Sequence, residues 1–230
     1  VAGVLTDERK IHVEFEGKVI VDLYLDDLFG EIPLPELIGS NSDRSLPLES
    51  LPHDDLLKHL HNVLRFPAVA SKKFLITIGD RTVSGLVFRD QFIGNKQVPV
   101  SDYAATLDQL DTYSGQVFSI GEKPSIAISN PEASTRMAMA EAITNVCGVV
   151  HDSIEKLTFS ANWMSSTKSS DEKGDLVRGV ESVVNLSEDL GVSIPVGKDS
   201  LSMKTRWQDD SEKEVTSPMT LNISVFSNVM

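Results

Sequence analysis

From residue 124 onward the period of the hydrophobic pattern switches repeatedly, and that alternation leaves few folds open. PSIAIS (124–129) reads as a strand. Asn130 stands where a helix N-cap belongs, with Pro131 at the first helical position and Glu132 after it. The helix predicted from there carries Ala133, Met137, Ala140, Ile143, Val146 and Cys147 on its apolar side, and Gly148 is placed to stop it. KLTFSANW (156–163) is a further strand. Residues 174–190 form a second amphipathic helix, with Leu176, Val177, Val180, Val183, Val184 and Leu190 apolar and Gly191 as its stop. VSIPVG, SLSMKTRW and MTLNISVFS (219–227) follow as strands, the last alternating clearly. Strands interleaved with helices predict a mixed α/β domain over 68–230, a sheet packed by helices.

Upstream, KIHVEFEGKVIVDLY (10–24) alternates about Gly17 and predicts two strands joined by a tight turn. Residues 30–53, with four prolines and several Ser, Asn and Asp residues, have a linker's composition. DDLLKHLHNVLR (54–65) carries a helical stripe at 56, 57, 60, 63 and 64, and Asp54 and Asp55 suit its N-terminus. KFLITI, from Lys73, reads as a strand closed by Gly79-Asp80. Short apolar pieces follow at 85–88, 97–100 and 103–107.

The 230 residues are 40% apolar and 24% charged, an ordinary balance for a folded domain with a real core. No apolar run reaches membrane-spanning length, and residues 1–20 lack the pattern of a signal peptide. Cys147 is the only cysteine, which excludes an internal disulfide and a multi-cysteine zinc site and fits a reducing cytoplasm. A net charge of −13 argues against nucleic acid as a bulk partner but leaves room for a nucleotide. The chain has no initiating Met and opens inside a strand-like pattern, so a piece of a longer polypeptide is expected.

One pair of residues invites a metal. Glu141 and Asn145 lie four apart on the first helix, so a carboxylate and an amide stand side by side on one face. Two fixed hard oxygens suit Mg²⁺, which commonly bridges carboxylates to phosphates, although the same pair also suits a solvated face. Asp102, near a strand end, is a second candidate ligand, in a position that equally suits a cap or turn former. The polar segment Gly79–Asp102 combines three glycines, Arg-Asp pairs, Gln91 and Lys96, a composition for a phosphate loop or for a plain surface hairpin. It contains no Walker sequence. VGKDSLSMK (196–204) sets Lys198 beside Asp199, either near a phosphate or as a surface ion pair. Trp163 suits packing, and Cys147 suits a small hydrophobe on a helix. The histidines at 12, 53, 59, 61 and 151 show no metal spacing, and no GxSxG elbow is present.

Taken in order, FLITIGDRTVSGLVFRDQ, EAITN, SANWM, VGKDSLSMKTRW and SPMTLNISVFS resemble the large multidomain phosphoribosylformylglycinamidine synthases, over nearly the whole chain and weakest at 36–52. That family belongs to the aminoimidazole ribonucleotide synthase superfamily. The resemblance implies that residues 1–35 end a first B domain. It makes 36–67 a linker with a short helix, and 68–230 a second A domain, similar to the synthase N-terminal domain. Such A domains pair to build a central barrel.

The family enzyme is a ligase of purine biosynthesis. It uses ATP and glutamine-derived ammonia to convert formylglycinamide ribonucleotide to the amidine. By resemblance, Asp102, Glu141 and Asn145 match Mg²⁺ ligands of an auxiliary site that retains ATP or ADP. Ser101, Lys72 and Gln91 match nucleotide contacts, and no catalytic residue falls in this chain. The remaining domains (the first A, the second B and the glutaminase) are the implied partners, with self-association of the isolated piece expected. The alternatives are a nucleotide-free scaffold and another synthase or kinase of the superfamily.

Overall fold

The computed structural model describes residues 3–31, 33–34, 36–40, 55–79, 81–83, 85–149 and 153–229. Two compact units emerge, Val1–Leu37 and Ile38–Met230. In the first, β1 (Lys10–Phe15) and β2 (Lys18–Tyr24) pair antiparallel, as the alternation predicts, and α1 (Leu25–Phe29) follows. Glu16 and Gly17 both take positive φ, 51° and 73°, the backbone of a tight primed hairpin turn.

The second unit begins with α2 (Leu56–Arg65), whose first turn is capped by the Asp55 carboxylate accepting from Lys58 N at 2.9 Å. Residues 41–54, which include most of the proline-rich stretch, His53 and Asp54, lie outside the described residues, as do Asp80 and His151. Next come α3 (Lys73–Thr77), β3 (Val87–Arg89), β4 (Ala104–Leu107) and β5 (Gly115–Gly121). They are followed by α4 (Pro124–Ala127), α5 (Pro131–Val146), β6 (Thr158–Met164), α6 (Ser170–Leu190) and β7 (Ser193–Ser200). A small hairpin, β8 (Lys204–Gln208) with β9 (Glu212–Thr216), precedes β10 (Thr220–Val229).

Six strands form one mixed sheet in the order β3-β4-β5-β10-β6-β7. All neighbours are antiparallel except β6 and β7, which run parallel and are joined through α6. The mixed α/β class, a sheet packed by helices, is therefore the observed fold. The sheet is open, with β3 and β7 at its edges among the described residues. A barrel would need strands from a second domain.

The core lies between α5, α6 and one sheet face. β5 alternates buried and exposed residues throughout, and Leu221, Ile223 and Val225 of β10 point the same way as Val117. Phe159 and Met139 fill the space between sheet and helix.

Several local expectations are corrected. KFLITI and PSIAIS are not strands: Lys73–Thr77 and Pro124–Ala127 are single helical turns. Short apolar runs carry no periodicity that separates the two states, and Pro124 opens α4 from the first helical position. β5 and β9 were not anticipated.

The buried face of α5 is Ser134, Thr135, Ala138, Met139, Ala142 and Val146, whereas Met137 and Ala140 are exposed. Small residues there allow close approach to β5, which outweighs burial of the larger Met137. Cys147 is exposed at the C-cap rather than inside. The same logic rotates α6, which buries Gly174, Gly179, Ser182 and Val183 and leaves Val177, Val180 and Val184 largely outside. That helix also starts earlier than 174, because Ser169 and Glu172 form a reciprocal capping box.

Candidate functional site

Two of the three predicted metal-ligating residues, Glu141 and Asn145, contact the end of β5, and the third, Asp102, precedes the neighbouring strand. β4 pairs with β5 through Ala104 opposite Phe118. Extending that register by two residues sets Asp102 level with Ile120. The Ile120 carbonyl accepts a hydrogen bond from Asn145 Nδ2 at 3.2 Å, which commits the amide nitrogen and leaves Oδ1 as an acceptor. Two residues on, the Glu122 N–H donates to Glu141 Oε2 at 3.0 Å. Lys123 closes the group, its ammonium 2.5 Å from Glu141 Oε1. Glu141 and Asn145 of α5 thus bond the Ile120–Lys123 segment, while Asp102, two residues before β4, shares a cavity wall with Ile120.

Two contacts fix α5 against β5 and so hold Glu141 and Asn145 at the strand end. A Cβ at Gly121 would lie 2.0 Å from the Ala138 carbonyl oxygen, so only glycine allows the strand end to meet the helix backbone. Beside it the buried Ser119 hydroxyl donates to Ala142 O at 2.6 Å. At the start of α5, the Asn130 side chain accepts from Ala133 N at 2.7 Å, the predicted cap.

A cavity of about 420 Å³ opens beside the cluster, lined among others by Leu75, Ile76, Arg89, Gln91, Ser101, Asp102 and Ile120. Ser101 braces its wall. Its hydroxyl accepts from Arg89 Nε and donates to Tyr103 O, both at 2.7 Å, and the Arg89 guanidinium lies 4.5 Å from the Tyr103 ring centre. The Ser101 N–H donates to Gln91 O at 2.9 Å, which draws the Gln91 backbone alongside. Gln91 Oε1 is buried and finds no hydrogen-bond partner among the described residues. Arg81 pairs with Asp90 at 2.9 Å and holds that carboxyl below the usual carboxylate range.

Lys72 stands apart. It is not among the residues lining this cavity, and its ammonium donates to the carbonyls of Pro67 and Ala70. Lys198 lies in β7 opposite Asn162 and donates to Ser200 Oγ at 2.9 Å. Trp163 packs against both apolar clusters, the packing role expected of it. Lys96 falls in the turn between Gly94 and Gln97. Among the described residues no three His, Cys, Asp or Glu side chains form a metal-binding group, so any ion here would rely on the Asn145 oxygen as well.

Lys123, the Glu122 N–H and Arg89 escaped the sequence reading. Lys123 precedes Pro124 in a strand-to-helix turn, and no spacing rule links it to a carboxylate eighteen residues later. Arg89 was visible only as one half of an Arg-Asp pair.

A family model described as the FGAR-AT PurM_N-like domain matches residues 71–228, more than half of the chain. Among solved structures, PurLQS from Thermotoga maritima superposes with a TM-score of 0.59 at 12% identity, covering 97% of this chain and 32% of that one. T. maritima PurL complexed with ATP gives 0.55 at 12% identity, and PurL complexed with AMPPCP gives 0.52 at 15%. They cover 96% and 97% of this chain, respectively. The chain spans 32% of the length of each of these structures. At such identities the likeness is one of fold.

Proposed function

The chain belongs to the FGAR-AT PurM_N-like domain family, and we propose that the cluster at the end of β5 holds a structural Mg-nucleotide, ATP or ADP. The observation that supports this reading is the placement of Glu141 and Asn145 against Ile120–Lys123, with Ile120, Asp102, Ser101 and Gln91 lining one cavity. The donor set suits a hard divalent ion: two carboxylates and one amide oxygen, with room for water and phosphate. Asp102, Glu141 and Asn145 would hold the ion. Ser101 and Gln91 would meet the nucleotide, and Lys72 would be a further contact. Bound magnesium would neutralise phosphate charge at this position.

Family membership supports a wider assignment. The chain is read as part of a phosphoribosylformylglycinamidine synthase, the carbon–nitrogen ligase of purine biosynthesis that takes glutamine as amide donor. Its local work is to shape the synthetase core and seat the nucleotide, while chemistry belongs to the other domains. Residues 1–35 would end a preceding B domain, 36–67 would link, and 68–230 would form the A domain. The break between Leu37 and Ile38 supports the first boundary. Cytoplasmic location accords with the single cysteine, and no helix among the described residues is long and apolar enough to cross a membrane.

A second reading, a scaffold that no longer binds nucleotide, is favoured by one contact: Lys123 already neutralises Glu141. Thermal unfolding of the full-length parent separates the two. Under the nucleotide reading, Mg-ADP at about a hundred times its Kd stabilises the domain by about 2.7 kcal/mol. Asp102→Asn removes most of the resulting rise in Tm. A Tm unmoved at saturation supports the scaffold.

A further inference from the structure

Glu141 meets a cation without any metal. Its two carboxylate oxygens are divided between one fixed donor and one movable charge: Oε2 takes the Glu122 N–H, and Oε1 takes the Lys123 ammonium. Both side chains of the ion pair are about two-thirds buried, so neither charge is left to solvent alone. Resting on the reading of a Mg-nucleotide site, the geometry points to Lys123 as a resident counter-cation. It occupies Glu141 when metal is absent, must leave when metal enters, and then serves as a partner for the nucleotide's phosphate.

The argument is one of shared space and sign. A magnesium ion binds a carboxylate oxygen at about 2.1 Å. With the ammonium still 2.5 Å from Oε1, two cations would crowd a single oxygen, and like charges at that range repel strongly. Only Lys123 can yield. Oε2 is tied to a backbone N–H at the end of β5, and α5 is locked to that strand by Gly121 and Ser119. The Lys123 backbone is also fixed, since its carbonyl accepts from the buried Ser134 hydroxyl at 2.6 Å. Its four-carbon stem is the flexible part, and a compact ammonium on such a stem suits phosphate as a point charge.

Two consequences follow for binding. Metal alone must break an ion pair and gains nothing back from the displaced ammonium, so it binds weakly. Metal with nucleotide recovers that charge on phosphate, so the two ligands bind with positive coupling. Lys123 therefore sets the site's preference for a metal–phosphate pair over a bare ion.

Mn²⁺ titrations of the full-length parent, followed by electron paramagnetic resonance with and without ADP, test this. Lys123→Gln should tighten Mn²⁺ alone by about threefold to tenfold, the loss of a partly buried ion pair as competitor. It should also shrink the gain in Mn²⁺ affinity that ADP brings. Lys123→Arg, which restores the charge, should return both quantities toward wild type. A merely structural lysine predicts the opposite sign, weaker metal binding in Lys123→Gln. If Lys123→Gln leaves Mn²⁺ affinity unchanged or lower while Asp102→Asn abolishes binding, the counter-cation role is overturned and the metal site stands. If Asp102→Asn binds Mn²⁺ as wild type does, or no protein binds it, the site reading fails and this inference with it.

Discussion

The two sides of the candidate site are anchored in different ways. On one side α5 carries Glu141 and Asn145 and buries Met139, Ala138, Ala142 and Val146 completely. On the other, the segment from Ser71 to Asp102 carries Lys72, Gln91, Ser101 and Asp102, and Phe92 is its only buried residue among those described. Its order comes instead from a short ladder of polar contacts, Arg89 to Ser101 to Tyr103 and Arg81 to Asp90. The helical side, with Glu141 and Asn145, is thus built by the fold itself, while the side with Asp102 and the proposed nucleotide contacts is held by contacts of modest strength. A site divided in this way has two of its three proposed ion ligands, Glu141 and Asn145, on a rigid helix, and brings Asp102 and the nucleotide wall to them on binding.

The largest effect expected from this contrast is in stability. Met139→Ala should destabilise the domain by about 2–5 kcal/mol, through lost burial and a residual cavity. Leu75→Ala, at a cavity-lining but 54% exposed position, should stay within about 0.5 kcal/mol. Urea unfolding measures both, and equal losses would break the comparison. A smaller effect is expected where helix and strand are tied: Ser119→Ala removes the buried bond to Ala142 O and should cost about 1 kcal/mol. The same midpoint reports it.

The smallest effect is on pH dependence. The Arg81 bond holds the Asp90 carboxyl below its ordinary value, so folded Asp90 titrates below unfolded Asp90. Its contribution is whole above the unfolded value, about pH 4, and is lost as pH falls through the folded one. Asp90→Asn should flatten that part of the acid limb of Tm against pH, and an unchanged limb would show that the ladder adds nothing.

Reading the sequence succeeded where one pattern dominated. β6, β10 and the first hairpin were legible from alternation, and α5 from its Asn130-Pro131 start. The spacing of Glu141 and Asn145 was legible for the same reason, since a helix fixes neighbours four apart. Reading failed where small residues did the packing. In β5 the inward positions are Gly115, Val117, Ser119 and Gly121, so the buried face looks polar or empty on a hydrophobicity scale. The same is true of Ser134 and Ala138 on α5 and of Gly179 and Ser182 on α6, and both helices were assigned a face rotated away from the true one. Capping chemistry was legible but overlooked at Ser169 and Glu172, four residues before the apolar stripe begins. Lys123 was illegible in principle: its partner is set by a sheet register and a helix position that no local pattern encodes.

The contact at Gly121 has a mechanical meaning. Most helices rest on their sheets through side chains, which behave as cushions and let the helix slide or tilt when one residue changes. Here strand backbone and helix backbone meet across a missing Cβ, with Ala138 O directly in the way of any side chain. That is a hard stop rather than a cushion. The height of α5 above the end of β5 is set by atoms that cannot be repacked, and Glu141, one turn along from Ala138, inherits that tolerance.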